Sequence, residues 1–183
     1  AYMDYQMKAG LNMGLAGIPW WTADIGGFHG GNINDPQFRE LLIRWFQFGT
    51  FCPVMRLHGN RDPHVVSEKA AGGQEIASGA DNEIWSYGPE AEKILTKYVL
   101  LREKMKPYTR EIMKQAHEKG SPVMRTLFYE FPKDAKAWEV DDAYLFGADI
   151  LVAPIVHGGQ REREVYLPEG ANWVDVLHGT KYE

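Results

Sequence analysis

The stretch Gly17-Ile-Pro-Trp-Trp-Thr-Ala-Asp-Ile-Gly-Gly-Phe28 decides how the rest of the chain is interpreted. Residues 18–25 are mostly apolar and favour a strand, with a proline near the start where a missing N–H is tolerated, so we predict a short buried strand. Gly26 and Gly27 then allow a sharp turn or a close approach of the backbone to a ligand. A strand that ends in Asp, Gly-Gly and Phe is typical of α/β enzymes, which present side chains at the carboxyl edge of a parallel sheet. The alternative is a buried strand end whose aspartate caps a turn.

Composition excludes several classes of function. The 183 residues carry a net charge of −5, without a basic cluster, so we expect neither nucleic acid nor a membrane as a partner. No apolar run approaches the roughly 20 residues that a membrane-spanning helix needs. Cys52 is the only cysteine, which excludes an internal disulfide and leaves the cellular compartment open. The aromatic fraction of 13% suits stacking against sugar faces, although large cores also collect aromatic residues.

Three helices are predicted from apolar spacing and capping residues. The first covers residues 2–15, although Gly10 and Gly14 weaken it. The second covers residues 37–51, after Asp35 as the N-cap and Pro36 at the first helical position. The third and longest begins at Pro89, is kinked at Pro107 and ends at Gly120. Its predicted buried stripe consists of Ile94, Tyr98, Leu101, Met105, Tyr108 and Ile112.

The remaining segments predict an α/β fold up to about Pro132 and short antiparallel strands after it. Residues 51–59 fit a strand or an irregular loop, residues 60–88 a long polar loop, and residues 122–128 a second inner strand parallel to residues 18–25. After Pro132 we predict three short antiparallel strands, at residues 149–156, 163–168 and 172–177. The start, Ala1-Tyr-Met-Asp, is neither an initiator methionine nor a signal peptide, so we expect an internal segment of a longer protein. The pattern predicts the last part of an α/β barrel, residues 1–132, followed by the first strands of an antiparallel β domain, residues 133–183.

Chemistry-bearing residues are present, but their spacing alone does not pair them. His58 lies in a non-helical segment, where a histidine is more often a structural hydrogen-bonding group than a ligand or a base. His58 and His64 lack a third partner at metal-ligand spacing, so we expect no metal and no cofactor. The carboxylates that glycoside chemistry would need could be sought among Asp24, Asp62, Asp81 and Glu83.

A second stretch, downstream of residues 17–28, is Arg44-Trp-Phe-Gln-Phe-Gly-Thr-Phe-Cys-Pro-Val-Met-Arg-Leu-His58. Together the two stretches resemble a signature of glycoside hydrolase family 31. Three downstream segments resemble the end of that family's barrel and its proximal β domain: Pro122-Val-Met-Arg-Thr-Leu-Phe128, Phe146-Gly-Ala-Asp-Ile-Leu-Val-Ala-Pro154 and Val165-Tyr-Leu-Pro168. The resemblance covers essentially the whole chain in the family's order. The chain departs from it at Leu57, where many members have Asn, and at Thr126, where Pro is commoner.

The resemblance implies that the fold class is α/β, the C-terminal portion of a (β/α)8 TIM barrel followed by the first strands of an antiparallel β-sandwich domain. It also implies a retaining α-glycosidase that acts on terminal α-xylosyl or α-glucosyl residues of oligosaccharides. The family's nucleophile and acid/base are aspartates on strands upstream of Asp24, so no catalytic residue is expected within this chain, and the remainder of the same enzyme is its expected partner. By motif position, Phe28 and His58 line the −1 sugar subsite. Asp24 and Arg56 stand beside them and hold the loops. An oligomer is compatible with the resemblance.

Two hypotheses follow from the sequence. The chain is either part of a family 31 α-glycosidase or a non-catalytic carbohydrate-binding or scaffold module on the same fold. A segment upstream similar to Trp-x-Asp-Met-Asn-Glu would favour the enzyme. Residues 78–87 slightly favour an α-xylosidase over an α-glucosidase.

Overall fold

The computed structural model describes residues 2–66, 77–176 and 178–182. Helices dominate the first two thirds of this part of the chain, and a short 3-10 helix, Ala135–Trp138, follows them. The α-helices are α1 (Tyr2–Leu15), α2 (Pro36–Gly49), α3 (Pro89–Lys104), α4 (Lys106–Lys119) and α5 (Leu127–Glu130).

The strands are short and form three small sheets. They are β1 (Arg61–Val66), β2 (Ala77–Ala80), β3 (Met124–Arg125), β4 (Tyr144–Phe146), β5 (Ile150–Val152), β6 (Trp173–Val174) and β7 (Lys181–Tyr182). β1 pairs with β2, β6 pairs with β7, and the central sheet has the order β3-β4-β5. All four of these strand pairs are antiparallel, and an isolated bridge between Asn32 and Asp62 is parallel.

Residues 18–25 are extended but do not form the regular strand that the sequence predicts. Two backbone hydrogen bonds link them to the segment that follows α2: Ile25 N–H donates to Arg56 O at 3.1 Å, and Val54 N–H donates to Trp21 O at 3.2 Å. Pro19 and Pro53 each lack a donor, which limits a longer ladder between the two segments. Residues 51–59 are correspondingly irregular, one of the two forms that the sequence allows.

Helices α1 and α2 pack on the buried side chains of residues 18–25. An added Cβ at Gly10 of α1 would lie 2.7 Å from the Trp21 indole, and one at Gly49 of α2 would lie 2.8 Å from Ile25. Both glycines therefore trade intrinsic helix propensity for room to bury a large side chain. The prediction of a helix over residues 2–15 is confirmed, and the weakness expected from its glycines has a packing reason.

Helix α2 begins as the sequence predicts. The Asp35 side chain accepts a hydrogen bond from Gln37 N–H at 2.9 Å, and Pro36 occupies the first turn, where its missing N–H costs nothing. Leu42, Trp45, Phe46 and Phe48 are buried on its inner face.

The predicted long helix is two helices, α3 and α4, that meet at Met105. Pro107 accounts for the break, because a proline cannot donate to the preceding turn and its ring clashes there. Gly120 ends α4 in the left-handed conformation, as predicted. Of the predicted buried stripe, Ile112 is buried and the other members are only half-buried, whereas Ala91 and Leu95 are the buried side chains of α3.

Several predictions for the loops and strands are wrong. In the polar segment 60–88, predicted as a loop, β1 and β2 pair antiparallel, and residues 67–76 lie outside the described part of the chain. In the predicted strand 122–128 only β3 is a strand, and α5 follows it directly; β3 pairs antiparallel with β4, which the sequence did not reveal. Residues 163–168 form no strand, residues 149–156 shorten to β5, and residues 172–177 shorten to β6, with residue 177 outside the described part.

The β3-β4-β5 sheet packs against the helices through a tyrosine clamp. The Tyr108 hydroxyl of α4 donates to Phe146 O at 2.9 Å and accepts from Asp149 N–H at 3.2 Å. The Tyr144 hydroxyl donates to Phe51 O at 3.0 Å.

Tyr144 and Phe146 belong to the same buried cluster as the side chains of α1 and α2, and β3–β4 pairing crosses position 132. The division into residues 1–132 and 133–183 stays a prediction.

A smaller apolar cluster lies beneath the segment that follows α5. Its buried members are Leu127, Ala137 and Leu145. The Asp134 side chain caps the 3-10 helix and accepts from the Tyr166 hydroxyl at 2.7 Å. That hydrogen bond raises the pKa of Tyr166 to about 12, since it stabilises the protonated phenol. The carboxylate thereby ties the irregular residues 163–168 to the 3-10 helix.

We predict that Gly147→Ala destabilises the full-length protein. Gly147 has φ +67°, and an added Cβ would overlap the Tyr108 hydroxyl and lie 2.7 Å from Ile112. Backbone strain and overpacking together should lower the free energy of unfolding by about 2–4 kcal/mol, measured by chemical denaturation. Gly159→Ala is the matched control, because Gly159 has φ +75° and open space around its Cα, so only the strain of about 1–2 kcal/mol applies. Equal losses in the two variants would contradict this account of the clamp.

Candidate functional site

The candidate site lies where two loops meet beyond the irregular segments 18–25 and 51–57. Asn60 N–H donates to Phe28 O at 2.9 Å, and Asp62 N–H donates to Gly31 O at 3.0 Å. The backbone approach is close, since a Cβ at Gly59, whose φ is +127°, would overlap Gly27 O. Glycine at position 59 is therefore required for the two loops to touch.

Phe28 and His58, the two predicted substrate-binding residues, are neighbours in the structure. Their ring centroids lie 5.5 Å apart with an interplanar angle of 32°. Phe28 is 52% exposed and His58 is exposed as well, so both rings are accessible to a ligand. His29 also packs edge-on against Phe28, with a centroid distance of 4.4 Å. The arrangement combines an apolar ring face with hydrogen-bonding nitrogens.

Asp24 and Arg56, predicted to stand beside these rings, form an ion pair. Arg56 Nε donates to Asp24 Oδ1 at 2.9 Å, and Arg56 Nη2 donates to the same oxygen. The Asp24 side chain is 17% exposed and that of Arg56 is 51% exposed, so solvent screens the pair only on the arginine side. The pair joins the ends of the two irregular segments at the point where Ile25 N–H donates to Arg56 O.

A cavity of about 200 Å³ adjoins this ion pair. Asp24, Phe28 and Arg56 are among the residues that line it, together with Tyr2, Gln6, Thr22, Ala23, Gly27 and Trp45. His58 contacts Phe28 outside this lining. A second cavity, of about 340 Å³, shares no lining residue with the first and lies between Trp20 and helices α3 and α4. The structure thus gathers all four predicted site residues at one location, and three of them line one cavity.

Arg61 lies directly beneath the two loops and is fully buried, with 0% exposure. Its Nη1 donates to Gly27 O at 2.8 Å and its Nη2 donates to Ile25 O at 2.8 Å. Its Nε donates to the Tyr87 hydroxyl at 3.0 Å, while burial raises the pKa of that phenol. Further acceptors are the carbonyl oxygens of Gly30, Asn60 and His58.

Sequence reasoning did not single out Arg61, Tyr87 or Asn82. All three lie in the segment 60–88, which was predicted to be a polar loop, and an arginine in such a loop is usually solvated. The signal that the sequence offered for a buried arginine was glycine near the site. A Cβ at Gly26 would lie 2.7 Å from Arg61 Nη2, so the glycine at position 26 leaves room for the guanidinium.

Two of the other candidate carboxylates, Asp62 and Glu83, are engaged elsewhere. Asp62 Oδ1 lies 2.7 Å from His64 Nδ1, and Glu83 Oε2 accepts from Ser86 Oγ at 3.1 Å. Cys52 is buried, and burial raises the pKa of its thiol, which disfavours the nucleophilic thiolate. Among the residues that the structure describes, no group of three or more His, Cys, Asp or Glu side chains could hold a metal ion. No helix in that part of the chain has the length and apolarity needed to cross a membrane.

Two family models match the chain. The glycosyl hydrolases family 31 TIM-barrel domain matches residues 1–111, and the glycosyl hydrolase family 31 C-terminal domain matches residues 120–183. The chain is 35% identical to an alpha-xylosidase of Saccharolobus solfataricus over 97% of its length and 22% of that protein. It is 37% identical to alpha-glucosidase 2 of Bacillus thermoamyloliquefaciens over 94% of its length and 20% of that protein. The chain thus spans about a fifth of these curated relatives.

Solved structures show the same relationship. A GH31 alpha-xylosidase from a soil metagenome, complexed with xylose, superposes with a TM-score of 0.92 at 56% identity, over 96% of this chain and 26% of that one. A GH31 dextranase of Flavobacterium johnsoniae, complexed with glucose, gives a TM-score of 0.82 at 37% identity, over 99% of this chain and 20% of that one. The predicted fold class, part of a TIM barrel followed by a C-terminal β domain, is confirmed. Because the barrel model alone matches more than half of its residues, the chain belongs to glycoside hydrolase family 31.

Proposed function

We propose that this chain is part of a retaining α-glycosidase that removes terminal α-xylosyl or α-glucosyl residues from oligosaccharides. The observation that carries the proposal is the pairing of Phe28 with His58 beside the Asp24–Arg56 ion pair, at a glycine-lined junction of two loops. A pyranose offers an apolar C–H face and a rim of hydroxyl groups. The exposed Phe28 ring fits the face, and the His58 nitrogens fit the hydroxyl groups.

Asp24 and Arg56 hold this arrangement rather than react. Arg56 Nε and Nη2 both donate to Asp24 Oδ1, and these hydrogen bonds fix the ends of segments 18–25 and 51–57 relative to each other. Phe28 follows the first segment by three residues, and His58 directly follows the second. The ion pair therefore sets the distance between the two residues that would contact the sugar.

Bond cleavage requires two carboxyl groups that we place upstream of this chain. In a retaining mechanism one carboxylate attacks the anomeric carbon while a carboxylic acid protonates the departing glycosidic oxygen; water, deprotonated by the same second residue, then releases the sugar. Phe28 and His58 orient the sugar at the −1 position for both steps. A hydrogen bond from His58 to a sugar hydroxyl would strengthen as the ring becomes oxocarbenium-like.

We propose an α-xyloside as the preferred substrate. Support comes from the 56% identity to an alpha-xylosidase, against 37% to a dextranase, over nearly the whole chain in both cases. Rates of the full-length enzyme on aryl α-xylosides and aryl α-glucosides decide between the two. A higher kcat/KM on the glucoside would contradict the preference.

The isolated 183-residue chain should hydrolyse neither aryl α-glycoside above background. A nucleophile and a general acid each contribute large rate factors, and the chain holds no residue that we assign to either role. Release of the aryl alcohol can be followed by absorbance. Turnover by the purified chain that Asp24→Asn abolishes would show that a catalytic carboxylate lies here.

In the full-length enzyme, His58→Ala should lower kcat more than it raises KM. Loss of one hydrogen bond that strengthens in the transition state should cost on the order of 2–4 kcal/mol, or about 30- to 1,000-fold in kcat/KM. Steady-state kinetics on an aryl α-xyloside measure the split. His117→Ala, on the exposed face of α4, is the control and should leave both constants near the wild-type values. Near-native kinetics for His58→Ala would make His58 a structural histidine.

A further inference from the structure

We propose that Arg61 is the positioning residue of the sugar subsite, because it holds the loops of Phe28 and His58 in one geometry. The inference rests on the function proposed above. Arg61 acts through the backbone: its guanidinium donates to Gly27 O, immediately before Phe28, and to the carbonyl oxygen of His58 itself, at 3.5 Å. One rigid group thus touches the main chain on both sides of the subsite.

The guanidinium uses all five of its N–H groups. Nε has one acceptor, Nη2 has two, and Nη1 has three acceptors, so that one Nη1 hydrogen is shared. In the part of the chain that the structure describes, these acceptors are five backbone carbonyls and one phenol. Their planar, fork-like arrangement matches a guanidinium and cannot be reproduced by the single ammonium of a lysine.

A second path closes the network on the His58 side. The Tyr87 hydroxyl, which accepts from Arg61 Nε, donates to Asn82 Oδ1. Asn82 Nδ2 in turn donates to Gly59 O at 3.0 Å. Asn82 thus holds Gly59 O while the guanidinium holds His58 O, and the two are joined through Tyr87 in one connected chain of hydrogen bonds.

Arg102 offers a matched comparison within the same protein. It also donates to three backbone carbonyls, those of Thr50, Cys52 and Pro53, at 2.7–2.9 Å. Burial lowers the pKa of its guanidinium. Its acceptors lie at the start of the segment that ends at His58, away from the two loops. Arg102→Lys therefore perturbs a similar clasp without touching the subsite.

A double-mutant cycle in the full-length enzyme tests the proposal. Arg61→Lys, His58→Ala and the double variant are assayed on an aryl α-xyloside, beside Arg102→Lys alone and with His58→Ala. We expect Arg61→Lys to lower kcat/KM by about 30-fold in the wild-type background, mainly through kcat, and by less than about 3-fold when His58 is already absent. Arg102→Lys should have the same small effect in both backgrounds. Equal factors for Arg61→Lys in the two backgrounds, or no loss at all, would overturn the proposal.

Amide hydrogen exchange supplies a readout that does not depend on catalysis. Arg61→Lys should raise exchange in residues 26–31 and 58–60 and leave α1 and α4 unchanged, whereas Arg102→Lys should raise it only near residues 50–54. Unchanged protection of residues 26–31 and 58–60 refutes positioning by Arg61. If the wild-type enzyme cleaves neither aryl α-glycoside, the proposed function fails and hydrogen exchange alone decides on Arg61. If Arg61→Lys does not fold, Tyr87→Phe replaces it and is judged by the same pattern.

Discussion

Hydrogen bonds from buried guanidinium groups to backbone carbonyls are the interaction on which this structure depends. The segments that lead to the candidate site are irregular, so sheet ladders leave many of their carbonyls unpaired, and a buried unpaired carbonyl is costly. Arg61 donates to carbonyl oxygens of the two loops, and Arg102 donates to carbonyl oxygens near the start of segment 51–57. Arg125 donates to Pro122 O at 2.7 Å. Each arginine also keeps its own charge hydrogen-bonded, which a buried cation requires.

Glycine makes this mode of support possible. At Gly26 a side chain would occupy the place of the Arg61 guanidinium, and at Gly59 it would separate the two loops. At Gly10 and Gly49 a side chain would displace Trp21 and Ile25, the large side chains of segment 18–25. The glycines therefore complement the large or charged side chains that face them. We expect an added methyl group at any of these four glycines to disturb the site.

The long helices were predictable from the sequence, whereas the strands were predicted only in part and α5 was missed. Capping by Asp35 and Gly120 and the break at Pro107 depend on local chemistry, which a sequence displays directly. Strand pairing depends on partners distant along the chain, so β4 was missed, and residues 18–25 were predicted to be a strand although Pro19 and Pro53 limit their pairing with the segment after α2. The Phe28–His58 neighbourhood followed from a family resemblance. Arg61 did not, because its burial is a tertiary fact that polarity in the sequence conceals.

Under the proposed function, sugar binding and bond cleavage belong to different parts of the protein, and the reason is electrostatic. A retaining glycosidase needs one ionised carboxylate free to attack and one carboxylic acid free to give its proton. Asp24 is committed to Arg56, Asp62 lies against His64, and Glu83 accepts from Ser86, so these three carboxylates already have polar partners. Asp24 Oδ1 is occupied by two N–H donors of Arg56, which leaves this oxygen poorly placed to attack a substrate. Under the proposed function, Phe28 and His58 orient the sugar, and the reacting aspartates lie upstream of this chain.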